Sequence, residues 1–141
     1  METGWIMAGR FILTLSAIIL FIAGIAGLVA PVEIARAIDG AASSALPIFI
    51  QLFGGSLIGF AAMDWMSRRN RIGGIYARPL GLGNLVLFAT AALTLAKAAS
   101  RGQLPPTLIG VGAAAGLLAL SFAWLVFAHD PLSEGSPHSA G

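Results

Sequence analysis

Cysteine is absent from all 141 residues, which removes a disulfide framework, a thiolate nucleophile and any cysteine-bound metal or cluster. Charge is nearly as scarce: only 10% of residues are charged, against about 25% in ordinary soluble domains. Histidine occurs twice, as His129 and His138, at the end of the last apolar run and in the tail beyond it. No imidazole is therefore placed in a bilayer to ligate haem or metal, and a Pro- and Gly-rich tail offers no rigid metal geometry. No GxxxxGK[ST], HExxH or nucleophile-elbow pattern occurs. The chain thus carries no complete catalytic signature, and the expectation is no enzyme, no cofactor and no metal.

What is abundant is apolar. Hydrophobic residues make up 57% of the chain and the mean hydropathy is +0.89. A chain this short cannot hide so much apolar surface in one soluble core, so that surface must face lipid. Four runs have bilayer length: 11–30, 48–66, 80–99 and 107–128. At about 1.5 Å per residue, the 19 residues of Ile48–Met66 extend about 28 Å, close to a hydrocarbon core of ~30 Å. The sequence therefore predicts an all-α membrane protein, an antiparallel four-helix transmembrane bundle forming one domain over 1–128, with a disordered cytoplasmic tail over 129–141. A short interfacial helix is expected over 32–39, begun by Pro31, with Ile34 and Ile38 on one face and Glu33 and Arg36 paired on another.

Four of the eight basic residues, Arg68, Arg69, Arg71 and Arg78, crowd into the loop after the second run. With Arg10 they place five positive charges on one side of the four spans, against Arg36, Lys97 and Arg101 on the other. The positive-inside rule then puts both termini in the cytoplasm. The loop reads as a topology signal with anionic lipid headgroups as a secondary contact for Arg68, Arg69, Arg71 and Arg78. The pattern favours the lipid bilayer as partner, not nucleic acid.

Small residues fall on helical stripes: Gln51, Gly55, Gly59 and Ala62 on the second span, Gly112, Gly116, Ala119 and Ala123 on the fourth, Ser16, Ala23, Gly27 and Ala30 on the first. Such stripes let helix backbones approach closely, so Gly55, Gly59, Gly112 and Gly116 are the expected packing positions. They would serve within the chain, or between copies in a homo-oligomer, or against another membrane protein. Asp64 is the one acid inside any span and so a candidate functional group. Arg68 follows it at i+4, which predicts a snorkelled ion pair at the interface. Asn84, near the same side of the third span, completes the candidate polar site of Asp64, Asn84 and Arg68. With Thr14, Ser16 and Ser121 these groups would line a small cytoplasm-facing cavity, or each would bond a backbone carbonyl.

Gly54, Gly55, Gly59, Trp65 and Arg68, followed by Gly83-Asn84-Leu85, give most of the chain a pattern that resembles a numerous group of small bacterial four-span membrane proteins of uncharacterised function. The resemblance implies a bacterial inner-membrane location and carries no catalytic residues with it. Small multidrug transporters have a similar size but depend on a Glu in their first helix, and 11–30 contains no acid. The expectation is a non-enzymatic structural or interaction subunit; the rival is a small transporter or channel using the cytoplasmic-side polar residues. A lipid-modifying enzyme would need Asp64 as general base beside Asn84 and lacks a second acid or histidine there.

Overall fold

The computed structural model describes residues 2–38, 45–68, 77–102 and 106–127. Of these, 95% are helical and none is in a strand. The helices are α1 (Glu2–Val29), α2 (Pro31–Ile38), α3 (Leu46–Ser67), α4 (Ala77–Ser100) and α5 (Pro106–Phe127). All but α2 are long and apolar enough to cross a bilayer, over Met7–Val29, Leu46–Ser67, Arg78–Ser100 and Leu108–Phe127. The all-α expectation holds, and the chain is a multi-pass membrane protein. Its spans lie within a few residues of those expected; α1 starts earliest because no proline interrupts the chain before Phe11. Arg69, Arg71, His129, His138 and the tail over 129–141 lie outside the described residues.

The helices group into two compact units, Met1–Asn70 and Arg71–Gly141. In the first, α1 ends at Ala30 because Pro31 lacks an N–H and disfavours helical backbone in the residue before it. Ala30 keeps its bonds all the same: its N–H donates to Ala26 O at 2.9 Å, and its carbonyl accepts from Ile34 N at 3.0 Å. The turn into α2 therefore leaves no orphan at that residue. Pro31 and Ala35 are the buried residues of α2, and Ile38 points outward.

Helices α1 and α3 pack along a seam whose residues alternate three and four apart. On α1 these are Leu13, Ala17, Leu20, Gly24 and Gly27; on α3 they are Gly54, Leu57, Ala61 and Asp64; all are buried. That spacing keeps one face toward a single neighbour in knobs-into-holes fashion. The glycines set the separation. A Cβ built on Gly54 would lie 2.8 Å from Gly24 O, and one built on Gly27 would lie 3.1 Å from Ile50 O. The expected stripe is one residue out of phase: Gln51, Gly55, Gly59 and Ala62 are exposed, and nothing comes within 4 Å of a Cβ at Gly55 or Gly59. On α1, Ala23 is likewise exposed while Gly24 takes the seam. The reason is packing. The Gly54 face offers Leu57 as a knob beside its small residues.

In the second unit α4 and α5 run antiparallel. Gly112 lies against Leu95, with a built Cβ 3.1 Å from the leucine Cβ, and Gly116 lies against Ala92 at 3.9 Å. Phe88 and Phe122 stack between the helices with centroids 5.8 Å apart and an interplanar angle of 15°. Helix α4 stops in a tightened turn: Arg101 N–H donates to Ala98 O and Gly102 N–H to Ala99 O, and Gly102 takes φ +66°. Only glycine adopts that conformation without a steric cost. Gly102→Val should destabilise the protein by about 1–2 kcal/mol, read as a lower unfolding midpoint in detergent, and Gly102→Asn by less.

Candidate functional site

The seam brings α3's acid against α1. Asp64 sits three residues after Ala61, so the packing that buries Ala61 buries the carboxylate too, and none of its surface is exposed. Ser16 Oγ, also fully buried, donates to Asp64 Oδ2 at 2.6 Å, at the short end for O–H···O bonds. The snorkelled surface position expected for Asp64 is corrected by this burial. Depth was legible from its distance to the helix end, but the direction around the helix was set by Gly54 and Leu57.

Arg68 closes α3, its backbone N–H donating to Asp64 O at 3.0 Å. Its guanidinium lies over the Trp65 ring, Cζ 3.3 Å from the centroid, and Nη1 donates to the Trp65 carbonyl. A cation in this place is favoured both by the ring face and by the negative end of the helix dipole. Asn84 belongs to the second unit, where it is fully buried and its Nδ2 donates to Leu80 O at 3.2 Å. Arg78 is exposed at the start of α4.

Three further hydroxyls of the spans turn back on their own helices. Thr14 donates to Arg10 O at 2.7 Å, Ser56 to Leu52 O at 3.0 Å and Ser121 to Leu117 O at 2.8 Å. Such back-bonding satisfies a hydroxyl in hydrocarbon without a partner helix. Among the described residues no three His, Cys, Asp or Glu side chains come together. Ser16 has a different fate, donating across the seam to Asp64. Its stripe with Gly27 marks it as a packing position, and the register of α1 on α3 gives it Asp64 as acceptor.

The first unit also holds a groove of about 390 Å³ between α1 and α3, lined by Ala17, Ile18, Phe21, Ile58, Ala62 and Trp65 among others. Its walls are apolar. No sequence signal marked it, because it arises where Ala17, Ala61 and Ala62 leave space between bulkier neighbours.

No family model matches the chain, and no curated protein or solved structure matches it.

Proposed function

We propose that the chain is a non-enzymatic, four-span protein of the bacterial inner membrane, with both termini cytoplasmic, that serves as a structural or interaction subunit. The observation that supports this reading is how the intramembrane polar groups are used. Thr14, Ser56 and Ser121 bond their own helices, and Asp64 is locked under α1 by Ser16, which is the work of holding a hairpin together. The exposed Gly55 and Gly59 leave a flat face for another membrane helix.

A photo-crosslinking residue at Gly55, irradiated in native membranes, tests the assignment. A discrete heavier adduct, seen again with the residue at Gly59 and not with it at Leu93 on α4, is the expected outcome. Absence of an adduct from both glycine positions overturns it. Orientation is tested separately, since the native chain has no cysteine: an impermeant thiol reagent applied to intact cells should label Ser44→Cys and Ser100→Cys and spare Ser139→Cys. The reverse pattern overturns the topology.

A second reading, a small transporter, is favoured by one observation: the Asp64 carboxylate is fully buried inside a span, and intramembrane acids commonly mark ion or proton pathways.

A further inference from the structure

We infer that the groove between α1 and α3 is a binding site for one anionic phospholipid, an acyl chain lying in the groove and the headgroup phosphate held between Arg10 and Arg68. This goes beyond the subunit reading and does not depend on it.

An acyl chain suits the groove. Its α3 wall runs from Ile58 to Trp65, about 10 Å along the axis, or roughly two thirds of the ~15 Å depth of one leaflet's hydrocarbon. A single extended hydrocarbon chain can lie along a wall of that length. The lining side chains Ala17, Ile18, Phe21, Ile58 and Ala62 offer an acyl chain contact without a polar group to desolvate.

Charge decides the headgroup. Ser16 and Asp64 are level, being hydrogen bonded. From that level Arg10 lies six residues toward the start of α1 and Arg68 four residues toward the end of α3, about 9 and 6 Å respectively at ~1.5 Å per residue. Both cations therefore stand at the same end of the groove, at nearly the same height. Both stand beyond the end of the groove and near its azimuth: Arg10 is within about 20° of Ala17 and Phe21 around α1, and Arg68 within about 20° of Ala61 around α3. Trp65, about half exposed, forms the mouth, and the Arg68 guanidinium rests on its ring. An indole at headgroup level with a guanidinium above it suits a phosphate, which arginine binds through parallel N–H donors. A zwitterionic headgroup would bring its own ammonium toward the two arginines; an anionic one adds no competing positive charge.

The test uses the full-length protein with Trp5→Phe and Trp124→Phe, so that fluorescence reports Trp65 alone. It is reconstituted in vesicles containing, at equal mole fraction, either phosphatidylglycerol or phosphatidylcholine with brominated acyl chains. Brominated phosphatidylglycerol should quench Trp65 with a higher apparent affinity than the phosphatidylcholine. Arg10→Gln should lower that preference about fivefold, the effect expected of one basic residue at an anionic surface, while Arg101→Gln on the turn after α4 leaves it unchanged. Ala62→Leu, which fills the groove, should reduce quenching by both lipids, with helicity and monodispersity checked alongside. Should that variant fail to fold, Arg10→Gln decides alone. Equal quenching by the two lipids would mean ordinary surrounding lipid, and absence of quenching by either would mean that protein covers the groove; each result overturns the site.

Discussion

Gly54→Leu should abolish the α1/α3 hairpin, while Gly59→Leu, five residues along the same helix, should leave it standing. At Gly54 even a methyl has no room: its Cβ would lie 2.8 Å from Gly24 O and 3.2 Å from both Gly27 C and Leu28 N. All three atoms belong to backbone, which cannot swing aside as a flexible side chain would. Gly54→Ala should therefore cost about 1–3 kcal/mol, the usual range for overpacking, and the leucine, larger by three carbons, should cost more. At Gly55 the sign reverses. Nothing lies within 4 Å of its Cβ, so alanine adds no clash and recovers the ~0.5–1 kcal/mol by which glycine weakens a helix interior. The four variants are compared by titrating the detergent-solubilised protein with SDS and following far-UV circular dichroism. Equal midpoints for Gly54→Ala and Gly55→Ala would mean that the helices do not meet on the Gly54 face.

The contrast between neighbouring glycines also marks where the sequence ceases to be readable. Spans, loops and the break before Pro31 follow from local chemistry: apolar length sets the helices, and proline's missing N–H sets the pivot at Ala30. The packing face does not follow in the same way. Two adjacent glycines, Gly54 and Gly55, head two small-residue stripes about 100° apart around the helix, and which one faces α1 depends on what α1 presents opposite. Leu57 and Ala61, buried against a face of α1 that carries Leu13, Ala17 and Leu20, settle it, and that is a property of the pair. The same azimuth carries Asp64 inward. Its distance from the helix end is written in the chain, and its choice between Ser16 and the surface is not. The groove is less legible still, since it consists of side-chain volume missing at Ala17, Ala61 and Ala62 from two helices in one register.

Asp64→Asn should leave the hairpin folded with its stability changed by no more than about 1–2 kcal/mol, the upper range for interhelical hydrogen bonds in membranes. The substituted amide keeps an oxygen in place of Oδ2 to accept the Ser16 hydroxyl, now 2.6 Å away, and nearly the same volume in a fully buried position. Asp64→Ala differs on both counts, because it removes the acceptor and opens a cavity in the seam. Part of the loss is recoverable, since the Ser16 hydroxyl can turn to the carbonyl four residues back, as Thr14, Ser56 and Ser121 already do. The cavity is not, so Asp64→Ala should be the less stable of the two. A double-mutant cycle of Ser16→Ala with Asp64→Ala, each of which removes the bond, isolates its contribution, and a coupling of about 0.6 kcal/mol, rising to no more than ~1.7, is expected. Function separates on the same variant. If Asp64 serves only the α1/α3 seam, the folded Asp64→Asn protein should form the Gly55 photo-adduct at the wild-type level. A proton- or cation-coupled carrier requires the carboxylate itself, which an amide cannot replace as a titrating group or a charged ligand. Asp64→Asn protein that keeps its hairpin yet loses a wild-type ion flux in proteoliposomes would therefore sink the subunit reading and establish the transporter.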